Sequence, residues 1–310
     1  MTLGYDKPLY LMAFDHRGSF EHDLFKASEP VSAQVRDGIT RVKEIIFAAL
    51  VRALAEGAPR SACGVLVDEE FGAGIARRAQ AERVPLAMPV EKSGQEEFEF
   101  QYADEFGAHI EAFDPTFSKV LVRYNPDGDA GLNARQTERL ARLSAWLQER
   151  GRKFLFELLV PATKDQLDRF GGDQRAYDRQ LRPDLVVATI RALQGGGVEP
   201  DIWKIEGLDT AAACEQVVAQ AQVGGRDEVK CIVLGRGADE AQVIEWVKIA
   251  AAVDGFDGFA VGRTLWEAAL TKFLAGQASH DEAVYEISSR YRDVIDAYRR
   301  AETAVERGRE

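Results

Sequence analysis

Lys153-Phe-Leu-Phe-Glu-Leu-Leu159 and Asp201-Ile-Trp-Lys-Ile-Glu206 decide the architecture. Each is a short, largely apolar run with a charged residue set inside it. Six more short apolar runs fall at 9–14, 64–67, 85–90, 119–124, 230–234 and 258–261. Between them lie segments with apolar residues at helical spacing, clearest at Leu140, Leu143 and Leu147 and at Val243, Ile244 and Val247. Continuous apolar strands alternating with helices imply a parallel sheet covered on both faces. Eight such units in one chain are what an α/β fold of the (β/α)8 TIM-barrel type requires. No linker or shift in composition divides the 310 residues, so 1–310 is expected to be a single barrel domain.

Three segments lie outside this repeat. Residues 18–28 read as a loop after the first strand. Residues 161–182 are charged, carry Gly171-Gly172 in their middle, and read as a flap after the fifth strand. Residues 281–310 read as an extra C-terminal helix with Val284, Ile287, Tyr291, Ile295 and Tyr298 on one face. That face must bury against its own barrel or against a partner subunit, which leaves room for a homo-oligomer.

A net charge of −12 argues against nucleic acid as a partner, because binding it requires a basic surface. It argues equally against a polybasic membrane contact. No run approaches the roughly 20 apolar residues that span a bilayer, and the polar opening carries no signal-peptide pattern. The expected location is cytoplasmic. The odd, widely spaced cysteines Cys63, Cys214 and Cys231 fit small buried hydrophobes in a reducing compartment.

In a barrel of this kind the chemistry sits at the C-terminal ends of the strands. Those ends carry Asp15-His16-Arg17, Asp68-Glu69, Glu91-Lys92, Arg123-Tyr124-Asn125, Glu157, Lys204 with Glu206, Gly235-Arg236-Gly237 and Gly262-Arg263. So many cations on one rim of an acidic chain point to an anionic small molecule. Lys204 lies between Trp203 and Ile205, and lysine is rarely buried without cause. One reading is an amine nucleophile; the other is a buried ion pair with a carboxylate. At lysine's ordinary pKa only about one amine in 10³ is unprotonated at pH 7, a handicap that burial and nearby cations reduce. Glu157 stands one strand earlier, a carboxyl in an apolar wall, suited to the proton transfers of imine formation. The two glycine-arginine turns, after the seventh and eighth strands, suit a phosphate: backbone N–H groups approach an anion there, and a helix N-terminus adds partial positive charge.

The sequence resembles the class I tagatose 1,6-bisphosphate aldolases, and more closely the aldolase domain joined to a sugar kinase in inositol catabolism. The matching stretches are Ala13-Phe-Asp-His-Arg-Gly-Ser19, Leu66-Val-Asp-Glu-Glu-Phe-Gly72, Val90-Glu-Lys-Ser-Gly94, Lys119-Val-Leu-Val-Arg-Tyr-Asn125, Phe156-Glu-Leu-Leu159, Asp201-Ile-Trp-Lys-Ile-Glu206 and Val261-Gly-Arg-Thr-Leu-Trp266. The resemblance implies Lys204 as the Schiff-base lysine and Glu157 as its acid/base partner. It implies Asp15 and Lys119 near the reacting carbons, Lys92 as an anion contact, and Gly262 and Arg263 as phosphate ligands. Lys119 begins its expected strand, low in the barrel; Arg123, two pleats later on the same face, is the alternative. His16, Asn125 and Gly235-Arg236-Gly237 replace a glutamine, an aspartate and a serine-containing turn of the tagatose type. Those departures fit the inositol-type relatives, whose substrate is 2-deoxy-5-keto-gluconate 6-phosphate. His16 and Arg236 then suit a substrate with a carboxylate at one end and a phosphate at the other, with Arg236 alternatively a second phosphate ligand and Arg17 a further substrate contact.

The expected activity is therefore metal-independent cleavage of that sugar phosphate to dihydroxyacetone phosphate and malonate semialdehyde, with no cofactor. His16, His22, His109 and His280 include no close pair, which argues against a zinc-dependent site. Competing readings are another ketose-phosphate aldolase, acting on tagatose bisphosphate or a sulfonated sugar phosphate, and a non-catalytic sugar-phosphate sensor.

Overall fold

Along β6 (Ile202–Glu206) the side chains divide in strict alternation. Ile202 packs in the small cluster that fills the barrel axis, whereas Trp203 and Ile205 pack in the outer core under the helices. The same division holds in β1 (Leu9–Ala13), β2 (Cys63–Leu66), β3 (Leu86–Pro89), β4 (Phe117–Arg123), β5 (Lys153–Leu159) and β7 (Lys230–Leu234), and in β8 (Phe256–Val261) from Phe259 onward, past an irregularity that leaves Phe256 and Phe259 both outward. Each strand is parallel to its neighbours and β8 returns to β1, so the sheet is a closed eight-stranded barrel. The computed structural model describes residues 3–28 and 30–309, so the two ends of the expected 1–310 span lie outside the described residues.

Leu9, Leu11, Phe117, Leu155, Ile202 and Ile232 fill the lower part of the axis, and Tyr5 sits edge-on to Phe117 with ring centroids 4.9 Å apart. A filled interior of this kind is a packed core and leaves only the upper end open for polar groups. Strand β4 starts at Phe117, two residues before the expected start, because Phe117 and the buried Ser118 continue the run toward the barrel floor. Lys119 is consequently the third residue of its strand and not the first. At the join of β7 and β8 the register shifts, and Gly258 there has φ +145; a Cβ on it would lie 2.0 Å from the Leu9 carbonyl oxygen, so only glycine fits.

Several of the helices that cover the barrel start where the sequence offers capping side chains. Ser32 caps α1 (Ala33–Ala55), Asp68 caps α2 (Glu69–Ala81), and Thr163 with Gln166 forms a capping box on α5 (Lys164–Arg169). Helices α3 (Phe106–Phe113), α4 (Ala130–Glu149), α7 (Arg182–Gly195), α8 (Ala211–Ala221), α9 (Glu240–Ala251) and α10 (Arg263–Leu274) complete the ring. Residues expected as loops are in part helical: Ser19–Leu24 is a π-helix, and the stretch 161–182 contains α5 and α6 (Gln174–Gln180). None of these three short elements has enough apolar periodicity to be read from its sequence.

The terminal helix α11 (His280–Arg309) lies on its own barrel, against α1, α9 and α10. Ile287, Tyr291, Ile295 and Tyr298 are buried; the Tyr291 hydroxyl donates to the Tyr10 carbonyl at 2.6 Å, and Tyr298 donates to the Phe256 carbonyl. Burying Ile287 and Ile295 contributes about 1.5–3 kcal/mol each. Cys63, Cys214 and Cys231 are free and buried. No helix among the described residues is long and apolar enough to cross a membrane.

Asp201 ties the lower end together. It accepts from the backbone N–H groups of Gly4 and Phe154 and from Lys153 Nζ, each at 2.8 Å. Asp201→Ala leaves all three donors without that acceptor, so we expect a loss of about 2–4 kcal/mol in urea unfolding. An unchanged denaturation midpoint would show that water replaces the carboxylate without cost.

Candidate active site

The alternation that fills the floor with apolar side chains brings charge to the upper end of the same axis. Leu155 and Ile202 belong to the inner cluster, and two residues further along the same strands stand Glu157 and Lys204. These two are direct register partners between β5 and β6. Lys204 Nζ lies 2.8 Å from Glu157 Oε1. The other carboxyl oxygen, Oε2, lies 3.0 Å from Lys119 Nζ, which rises from β4 two residues above Phe117. Lys119 Nζ also donates to Asp15 Oδ2 at 2.8 Å and to Glu91 Oε1 at 2.7 Å. Five titratable groups from five strands or strand ends thus form one continuous chain of ion pairs.

All five are buried, yet all line a cavity of about 380 Å³ at the upper end of the barrel. Burial alone would pull the Lys119 ammonium toward neutrality, but the charges of Asp15, Glu157 and Glu91 override it and hold its pKa well above the ordinary value. Burial pushes Asp15 and Glu157 up; Lys119, with His16 helping at Asp15 and Lys204 at Glu157, more than reverses this, and both lie below the usual carboxylate range. Glu91 goes the other way: burial outweighs the pull of Lys119 and Arg17, and its pKa is raised. Burial also lowers His16, against the opposing charge of Asp15.

The basic side chains of the rim divide into two sets. His16, Arg17, Lys92 and Arg123 line the cavity. Arg17 donates to the Glu91 carbonyl at 2.8 Å and to Gln101 Oε1 at 3.3 Å, and Arg123 donates to the Gln95 carbonyl at 3.0 Å. These partners are neutral, so the two guanidiniums face the cavity with their charge uncompensated by those bonds. Lys92 is 3.8 Å from Glu99. The second set stands beside the cavity and not in its lining. Arg236, at φ +46, places Nε 2.8 Å from Glu206 Oε1 and Nη1 3.0 Å from Asp178 Oδ1. Arg263 pairs with Glu267 at 2.7 Å and lies 3.5 Å from Asp23, itself a cavity residue. Gly235 and Gly262 form the turns before these arginines; a Cβ at Gly262 would come within 2.5 Å of the Ala13 carbonyl oxygen and 3.0 Å of the His16 ring. Asn125 bridges the Pro161 carbonyl and Gln166, tying the β4 end to α5.

Sequence reading gave Glu91 a place on the rim and no role, although it lies two pleats beyond the inner-cluster residue Ala87. His22 and Asp23, from the π-helix, and Ser93, Gly94 and Gln95, after β3, also line the cavity, without any periodic signal in the sequence. Also unforeseen is a fully buried pair under the first loop: Lys43 of α1 bonds Asp68 and, at 3.0 Å, the His16 carbonyl. It anchors the backbone from which His16 and Arg17 reach the cavity.

A family model described as "Uncharacterized protein conserved in bacteria (DUF2090)" matches residues 4–302. No curated protein matches the chain. Among solved structures, a fructose-bisphosphate aldolase from Plasmodium falciparum, in complex with TRAP and an inhibitor, superimposes with TM-score 0.62 at 11% identity, over 96% of this chain and 91% of that one. Cgl0159 from Corynebacterium glutamicum gives 0.59 at 18% identity, over 94% and 88%. A fructose-bisphosphate aldolase from Slackia heliotrinireducens gives 0.53 at 12% identity, over 91% and 86%. At such identities the likeness is one of fold.

Proposed function

Since the chain belongs to the DUF2090 family, whose description carries no chemistry, we propose its activity from the site itself: it is a Schiff-base aldolase acting on a phosphorylated ketose. The observation that carries this reading is the shared carboxyl of Glu157, with one oxygen on Lys204 and the other on Lys119. Two lysines in one cavity have unequal surroundings. Lys119 is divided among three carboxyl groups and stays charged, whereas Lys204 has Glu157 as its carboxylate partner. Lys204 is therefore the amine that reacts.

In the first step Lys204 Nζ adds to the substrate ketone, and Glu157 moves the proton from the nitrogen to the departing hydroxyl, which leaves as water. The resulting iminium accepts the electron pair of the adjacent carbon–carbon bond. That bond breaks as a base, Asp15 or Glu157, takes the proton of the hydroxyl on the far carbon. An aldehyde leaves, the enamine left on Lys204 is protonated, and water releases the ketone product. Lys119 contributes fixed positive charge next to the oxygens that become anionic, a stabilisation that costs no reorganisation during the reaction.

For the substrate we favour 2-deoxy-5-keto-gluconate 6-phosphate, cleaved between C3 and C4 to malonate semialdehyde and dihydroxyacetone phosphate. It offers an anionic group at each end. Arg17, Lys92 and Arg123 would meet one in the cavity, with His16 beside them. The turns at Gly235-Arg236 and Gly262-Arg263 would meet the other, Arg236 and Arg263 exchanging carboxylate partners for the ligand. Aldolase activity in two of the fold neighbours agrees with the reading.

Borohydride reduction in the presence of dihydroxyacetone phosphate tests the proposal. A reduced adduct on the Lys204 peptide supports it; no adduct, with ligand binding confirmed by a melting shift, sinks it. A panel of ketose phosphates, assayed by release of dihydroxyacetone phosphate, then separates the inositol-type substrate from tagatose bisphosphate and from sulfonated sugars.

A further inference from the structure

We propose that Glu91 is a substrate-binding group of this site, a neutral carboxyl that offers its Oε2–H to a carbonyl or carboxylate oxygen of the substrate. This rests on the Schiff-base reading above and adds a residue that it does not use. The argument begins from a mismatch of charge. One ammonium, Lys119, faces three carboxyl groups, and of these Glu157 has Lys204 as a second cation. Asp15 has His16 nearby, with Nδ1 4.0 Å from Oδ1. Glu91 has its Oε1 on Lys119 and its Oε2 buried without a hydrogen-bond partner among the described residues.

A buried carboxylate with a bare oxygen is far more costly than a buried neutral acid, because the desolvation penalty of a charge greatly exceeds that of a hydroxyl. The groups that face Glu91 are Lys119 from β4 and Arg17 and Asp15 from the end of β1, two cations against one anion, and burial still prevails over them. Oε1 then accepts from Lys119 while Oε2 carries the proton. Arg17 contributes charge but no hydrogen bond to the carboxyl, since its guanidinium bonds the Glu91 main-chain carbonyl at 2.8 Å.

The position is held firmly enough to act as a donor. Backbone bonds from Gln101 N to the Val90 carbonyl and from Lys92 N to the Glu99 carbonyl, both 2.9 Å, clamp the residues on either side of Glu91. Three further cavity residues have orphaned buried atoms: His16 Nδ1, Arg17 Nε and Gln95 Oε1. Unsatisfied buried polar atoms are few in native proteins, and four gathered around one cavity indicate that a ligand supplies their partners.

The test compares wild type, Glu91→Gln and Glu91→Ala. Gln keeps the shape and a donor where the neutral acid has one; Ala removes both. The infrared difference spectrum of wild type against Glu91→Gln at neutral pH should contain the C=O band of a protonated carboxyl. In cleavage of 2-deoxy-5-keto-gluconate 6-phosphate, Glu91→Ala should lose about 10–100-fold in kcat/KM, and Glu91→Gln should recover most of that loss. Lys204 trapping with dihydroxyacetone phosphate should persist in all three proteins. An absent carboxyl band, a Gln variant no better than Ala, or an Ala variant equal to wild type would each overturn the assignment. Absence of trapping in wild type would instead remove the Schiff-base reading, and the donor role with it, while the infrared band still reports whether Glu91 holds a proton.

Discussion

Lys204→Met is expected to abolish borohydride trapping and to lower kcat for cleavage by roughly 10⁴–10⁶-fold, the scale seen when a covalent nucleophile is removed. Methionine is close to lysine in length and apolar, so the chain still fills its place between Glu157 and the apolar inner wall. Glu157 keeps Lys119 as a partner at 3.0 Å, which leaves no buried carboxylate stranded. The fold should therefore survive, and a loss of activity reads as chemistry. Retained cleavage, or an adduct that moves to Lys119, would assign the reaction to the other lysine. That second outcome would require Lys119 to give up a proton that Asp15 and Glu157 hold in place.

Glu157→Gln separates the two duties that the shared carboxyl performs. The amide bonds to a lysine through its oxygen alone and moves no proton. Loss of general acid/base action typically costs 10²–10⁴-fold, so imine formation should slow by that order. The variant's adduct should form slowly and on the same residue, Lys204.

The barrel was legible because its strands obey a rule that sequence displays directly. Apolar runs covered on both faces are nearly continuous, and the expected runs at 153–159 and 230–234 coincide with β5 and β7. Glu157 and Lys204 stood out for the same reason: each is a charge inside such a run. Lys119 was harder, since a lysine at the apparent edge of a strand looks like a floor residue until Phe117 and Ser118 are seen to precede it in β4. Arg236 and Arg263 illustrate a different limit. Glycine-arginine turns can be read from the sequence, but the carboxylates of Asp178, Glu206 and Glu267 that engage them come from other elements or from the next helical turn. Which cations face a cavity with free charge is a tertiary property, and Arg17 and Arg123 acquire it through bonds to neutral carbonyls.

Lys119→Met should be the most damaging single substitution for stability at this site. The side chain is 1% exposed, and its loss strips Asp15 and Glu91 of their direct ammonium contact and leaves Glu157 with Lys204. Removing one partner from a buried ionic cluster typically costs about 3–5 kcal/mol. The pH dependence has a definite sign. In wild type Asp15 and Glu157 lie below the ordinary carboxylate range, so their contribution is complete above about pH 4 and is lost as pH falls through their lower folded values. Lys119 lies above the ordinary lysine range, so its contribution is complete below about pH 10 and is lost as pH rises through the higher folded value. Without Lys119, burial is the dominant influence on Asp15, and its folded pKa moves above the unfolded one. Such a group takes up its proton on folding, and the penalty is greatest at neutral pH and shrinks toward pH 4. Urea unfolding of both proteins across that window should show the gap between them narrowing as pH falls. A gap that stays constant, or Lys119→Met as stable as wild type at pH 7, would mean that Lys119 does not hold these carboxylates charged, and the distinction between the two lysines would fail with it.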